Sequence, residues 1–292
     1  MLMKSVKISV LVLVILALAV SMLAGCTPAA NGGASLENQG TAESTDGVIT
    51  LTLNGSGYAV SESGAVTANG NVLTIVKAGT YKISGTLDNA QLKVLVSKTE
   101  KVRLIFAGVS ISNSISAPVY VESADKVTIE LLKDTVNTLT DAKTYSFPDG
   151  SDKPNACIYS SEDLTIKGEG SLTVNANFNN GIGCKNDLKI ESGNITVNAA
   201  NNALKGNQSV LIEGGSIVLK GADGIKSDSI VEDEGVVQIL GGTVDITASD
   251  DGIQAVTRVD ISGDAAVTVN AADKDVNCSG TLNIVSSALT SK

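Results

Sequence analysis

Carboxylates carry most of the chemistry open to this chain, and a few of them recur in step. Asp223 stands in "ADGI" and Asp250 with Asp251 in "DDGI", while Asp228 and Asp233 follow nearby, with Glu232 and Glu234, in "SDSIVEDEG" (residues 227–235). Carboxylates stacked one strand apart repel unless a cation sits between them. A hard oxygen set without His or Cys suits Ca²⁺ better than a transition metal. Two readings follow: a calcium site at Asp223, Asp250 and Asp251, completed by Asp228 and Asp233, or a solvated acidic face. Imidazole chemistry is excluded, because the sequence has no His. That removes Ser-His-Asp and Cys-His hydrolysis, His acid–base catalysis and His-ligated metals.

A second set lies one residue after a recurring apolar position: Tyr120, Tyr159, Gly183, Lys205, Lys226 and Gln254. If that apolar position points inward, the residue after it points outward. Tyrosine rings offer faces to sugar C–H groups, and lysines meet uronic carboxylates. Tyr120, Tyr159, Lys205, Lys226 and Gln254 are therefore candidates for a carbohydrate-binding strip, against the alternative of an ordinary solvated ladder. Further columns precede the same apolar position. Asn179, Asn180, Asn201 and Asn202 read as an Asn ladder at an outward turn, in line with Asp223, Asp250 and Asp251.

These columns need a scaffold that brings the chain back over itself, and the sequence supplies a repeat. Apolar pairs one residue apart run Val102/Leu104, Val127/Ile129, Leu164/Ile166, Leu188/Ile190, Val210/Ile212, Val237/Ile239, Val259/Ile261 and Leu282/Ile284. A second pair follows most of them (Leu172/Val174, Ile195/Val197, Ile217/Leu219, Val244/Ile246, Val267/Val269), then a third mark at Ile182, Leu204, Ile225, Ile253 and Val276. Alternation at period 2 means half-buried strands, and "ESGN", "EGGS" and "LGGT" supply the turns. Three short strands per coil of roughly 22 residues predict an all-β chain folded as a right-handed parallel β-helix. Residues 102–292 form the solenoid and 47–101 its strand-rich cap and first coils. Two interruptions, 134–154 and 227–235, enlarge single coils, the usual place for a binding surface.

The amino terminus reads as an address. Lys4 and Lys7 precede the apolar run Ile8 to Val20 and then "SMLAGC", predicting a signal peptide over 1–25. "LAGC" resembles a lipobox, which makes Cys26 the lipidated first mature residue, and 26–46 is small and polar, a tether. The expected place is outside a bacterial cell membrane, held by lipid. Removing Lys4 and Lys7 leaves 19 basic against 31 acidic residues, a net charge of −12. So acidic a chain, with 3% aromatics, is a poor partner for phosphate backbones, which excludes nucleic acid. Cys157, Cys184 and Cys278 have no CxxC spacing, and the register keeps them apart, so free thiols are expected.

The strings "NACIYSSEDLTIKGEGSLTV", "NNGIGCKNDLKIESGNITVNAANNALKG" and "ADGIKSD" through "SDDGIQA" resemble a clostridial family of secreted carbohydrate-binding β-helix proteins, over about residues 50–285. The resemblance implies a pectate-lyase-like right-handed parallel β-helix that binds cellulose and polygalacturonate-type polymers, carries calcium and has no demonstrated cleavage. Where the family usually has Asp, this chain has "NNGI" and "NNAL", which leaves calcium to Asp223, Asp250 and Asp251. The expected function is that of a non-catalytic, calcium-assisted polysaccharide-binding surface lipoprotein. One alternative is a calcium-dependent lyase, which needs a cation and a Lys or Arg base. Only Arg103 and Arg258 are present, neither in register with the acids. The other alternative is a structural adhesin or spacer.

Overall fold

A computed structural model describes residues 35–43, 47–147 and 150–292. The signal segment and Cys26 lie outside the described residues.

The repeat closes into coils of three strands. One coil runs Asp163–Gly168, Ser171–Ala176 and Asn180–Cys184, and the next runs Asp187–Ile190, Asn194–Ala199 and Leu204–Gly206. Each strand pairs in parallel with its counterpart one coil away. On the first face Leu164, Leu188, Val210, Val237, Val259 and Leu282 lie level. On the second, Leu172, Ile195, Ile217, Val244 and Val267 do so. On the third, the level runs Val119, Ile158, Ile182, Leu204, Ile225, Ile253 and Val276. The described residues thus form an all-β solenoid without helix. The first two faces merge into a 19-stranded sheet, because Gly79–Leu87 and Lys101–Ser112 cross their shared corner unbroken; the third is a ten-stranded sheet.

The core is a column of aliphatic side chains, and among the described residues the aromatic members of its packed cluster, Tyr58, Tyr81 and Phe106, lie near the amino-terminal end. Each fully buried Leu, Ile or Val contributes about 1.5–3 kcal/mol relative to exposure. At the corner between the first two faces, Gly193 (φ 126°), Gly215 (φ 103°) and Gly242 (φ 83°) take the left-handed conformation that the sequence turns anticipated.

Two boundaries differ from the sequence reading. The first interruption starts later than residue 134, because Val136–Thr140 is a regular second-face strand with Leu139 buried; the extra chain is 141–155. The tether also ends earlier than residue 46: Leu36 is buried and Glu37–Asn38 pairs with Gly57 and Tyr58. The two ends are unlike, as the expected amino-terminal cap implies. Antiparallel hairpins (Val48–Gly55 with Gly57–Val60, and Val66–Asn69 with Val72–Ile75) fold over the first layer, whereas Leu282 in the last is 50% exposed against 0% for Val259 beneath it.

Candidate functional site

The two enlarged turns leave from opposite edges of the third face. Residues 141–155 enter it ahead of Ala156–Ser160, and 228–235 leave it after Ile225–Ser227. Between them the outward column reads Lys93, Tyr120, Tyr159, Gly183, Lys205, Lys226, Gln254 and Asn277, each level with the next. The structure therefore brings all five candidate carbohydrate residues into one line.

The tyrosines are less open than the sequence implied. Tyr159 is only 4% exposed. Its ring lies 5.8 Å from Tyr120 at 46°, and Lys153 covers it with Nζ 5.6 Å from the centroid, as Lys93 covers Tyr120 at 5.4 Å. Burial first, then the neighbouring Tyr120, pushes the Tyr159 phenol up to about 12, so it stays neutral. Cation–π contact draws the lysines over the rings, and a flat stacking platform is not what results.

Instead there is a basin of about 210 Å³ at the rung where Gly183 contributes no side chain. Tyr159 forms one wall, and Lys153, Lys185 and Lys205 converge on it beside Asn155 and Asn207. Lys205 is held by Asp228 at 2.6 Å, and Lys153 by Asp152 at 3.6 Å. Lys185 has no carboxylate partner among the described residues. Sequence reading missed Lys153, Lys185 and Asn207, because none falls in the outward column, and it placed Asn155 only in the polar column of Asn179 and Asn201. For Lys153 the signal was the interruption itself. Its position is fixed by an aromatic cluster: Tyr145 stacks on Phe178 (centroids 4.1 Å, 17°) with Phe147 against both. The Tyr145 hydroxyl donates to Asp141 Oδ2 at 2.6 Å, and burial holds the Asp141 carboxyl above the usual carboxylate range.

The acidic column is placed differently from the sequence reading. Asn180, Asn202, Asp223 and Asp251 are each 3% exposed, turned into the coil rather than outward. Asn180 opens its strand, and Asn202, Asp223 and Asp251 lie in the corner just ahead of theirs, where the chain turns them inward; only the column before them, with exposed Asp250, faces solvent. Along the ladder each amide donates toward the amino-terminal end: Asn180 Nδ2 to Asn155 O at 3.1 Å, and Asn202 Nδ2 to Asn180 Oδ1 at 2.6 Å. The series then meets Asp223, which has no proton to give, and Asn202 Oδ1 is left buried without a partner. Asp223 Oδ1 accepts the Asp251 N–H at 3.2 Å, and its Oδ2 accepts Lys226 Nζ at 2.9 Å. Asp251 Oδ2 accepts Asn277 Nδ2 at 2.6 Å, but Asp251 Oδ1 and Gln254 Oε1 are buried and unpartnered.

Carboxylate oxygens of Asp223, Asp250 and Asp251 lie within 4.8 Å of one another. Three carboxylates against the Lys226 ammonium leave two negative charges, and the orphaned atoms are all oxygens. That donor set fits a hard divalent cation. Asp228 and Asp233 do not join it. Asp228 is taken by Lys205, and Asp233 is exposed in the loop at φ 63°. Cys157, Cys184 and Cys278 are free thiols, as the register required.

A family model described as "Carbohydrate-binding domain-containing protein" matches residues 69–291. A relative of that same description from Acetivibrio thermocellus is 44% identical over 218 residues, 74% of this chain and 76% of its own. A solved structure of the polysaccharide lyase-like protein from C. thermocellum, a gadolinium derivative, is 47% identical with a TM-score of 0.81, covering 84% of this chain and 99% of that one. The chain belongs to the carbohydrate-binding domain-containing protein family.

Proposed function

We propose that the protein is a non-catalytic polysaccharide-binding surface lipoprotein that holds an acidic, polygalacturonate-type glycan along the third face, with Ca²⁺ at Asp223, Asp250 and Asp251. The observation that carries this reading is the convergence of Lys153, Lys185 and Lys205 on the Gly183 rung, in a chain whose net charge is −10. A cationic basin on an acidic protein favours anionic sugars over neutral cellulosic chains. Calcium is supported by the orphaned buried oxygens of Asn202, Asp251 and Gln254. Asp223, Asp250 and Asp251 would hold the ion, which when bound supplies positive charge for a uronate carboxylate. Lys153, Lys185 and Lys205 attract and orient the chain, and Tyr159 closes one side.

A lyase is the second reading, favoured by the name of the structural neighbour. Against it, both arginines are engaged on the first face, Arg103 with Glu130 and Arg258 with Asp260, and the candidate lysine bases Lys205 and Lys226 are paired with Asp228 and Asp223. Affinity electrophoresis in polygalacturonate separates the readings. Lys185→Ala combined with Lys205→Ala should lose most retardation, while absorbance of unsaturated product stays flat. Equal retardation of the variant would overturn the basin, and a rising absorbance would establish the lyase. The lipid anchor is tested by Cys26→Ser, which should release the protein or leave its precursor uncleaved.

A further inference from the structure

Lys226 stands between the two halves of the face. It is outward on strand Ile225–Ser227, level with Lys205 and Gln254 in the glycan column. Yet its ammonium is turned aside onto buried Asp223 Oδ2 at 2.9 Å. Its side chain keeps 24% exposure, against 5% for the Asp223 carboxylate, so the lysine has a way out and the aspartate has none.

We propose that Lys226 is an exchangeable counter-ion: a divalent cation entering among Asp223, Asp250 and Asp251 evicts its ammonium from Asp223, and the freed ammonium pairs with a carboxylate of an acidic glycan on the third face. The proposal rests on the cation reading above. Asp223 Oδ1 is occupied by the backbone N–H of Asp251, which the coil fixes. Oδ1 keeps a second lone pair, but the fixed N–H crowds it, so Oδ2, the oxygen that Lys226 holds, is the one a cation competes for. An ammonium and a dication sharing one buried oxygen repel strongly at low dielectric, so one of them leaves. Asp251 Oδ1, already without a partner, needs no such clearance. Lys205 takes no part in this exchange, because its partner is Asp228, which lies outside the three-carboxylate cluster.

Without metal, Lys226 keeps a buried carboxylate paired and the coil intact. With metal, the charge it carried is replaced and its own becomes available one rung from the basin. Linkage then makes cation and glycan each strengthen the other by the same factor.

Calcium titration by calorimetry, with and without tetragalacturonate, tests this on wild type, Lys226→Met and Lys226→Arg. In wild type, tetragalacturonate should tighten calcium binding about tenfold, a typical coupling. Lys226→Met should bind calcium more tightly than wild type, because the competitor is gone, and show a coupling factor near one. Lys226→Arg keeps the charge and should keep the coupling; it also guards against a Met variant that fails to fold. Equal calcium affinity in wild type and Lys226→Met would overturn the exchange and leave the cation reading standing. Coupling that persists in Lys226→Met would mean that the ion bridges the glycan directly, which also overturns it. No calcium binding by any of the three would overturn both.

Discussion

Cys157 and Cys184 are buried beside solvent-facing columns, and their chemistry follows from that burial. Desolvation pushes the Cys184 thiol up to about 12 and Cys157 well above its ordinary value. Cys184 Sγ also donates toward the Glu162 carbonyl at 3.1 Å. Iodoacetamide at pH 8 should therefore modify Cys278, which is partly exposed, and leave the other two until the chain is unfolded. Peptide mapping that finds Cys184 alkylated in the native protein would contradict this placement. Asp141 makes a second prediction. Its carboxyl is raised by burial, so the folded state holds the proton more tightly than the unfolded state. Its contribution to stability is therefore greatest at low pH and declines as pH rises from about 4, the unfolded value, through the folded one. Asp141→Asn cannot titrate, so its melting temperature relative to wild type should rise across that window. A pH-independent difference would refute the burial argument.

At the scale of the coil, the tight corner before each third-face strand decides what is tolerated. A Cβ on Gly224 would lie 2.3 Å from Ile246 Cγ2 and 2.5 Å from the Gly252 carbonyl oxygen, both held by the next coil. Gly224→Ala should cost about 1–3 kcal/mol or more in urea unfolding, as overpacking against backbone does; an unchanged midpoint would show that the coils can slide apart. The repeat was legible to this level. All three apolar marks fall in register as the spacings of Leu164, Leu172, Ile182 and their successors required, since period 2 and a fixed coil length leave few alternatives. What was not legible was depth. Asn202 and Asp223 lie at the turn that the sequence implies, but that corner is folded inward, and both are buried. Tyr159 was read as open because Lys153, which covers it, belongs to an interruption outside the repeat. Nothing periodic announced the Tyr145–Phe178 stack that holds the interruption in place.

For the whole molecule, stability is a sum over neighbouring coils, and the ends contribute least. The amino-terminal layer is covered by hairpins, while Leu282 and Val285 at the other end are exposed. Amide exchange should therefore be fastest, among the solenoid strands, in Val276–Cys278, Thr281–Ile284 and Leu289–Ser291, and slowest in the middle coils. Uniform protection from end to end would mean that the solenoid opens only as one unit. The third face has its own long-range property. Its outward column repeats every coil, about 4.8 Å, and a polymer lying along a perfectly periodic track meets the same energy at every step, so nothing prevents it from creeping. Gly183 interrupts that track with a single vacancy, and the three lysines around it make this step unlike all others. On the proposed reading, the vacancy pins the glycan as a lattice defect pins a sliding chain, so that a surface built from repetition retains one fixed point of grip.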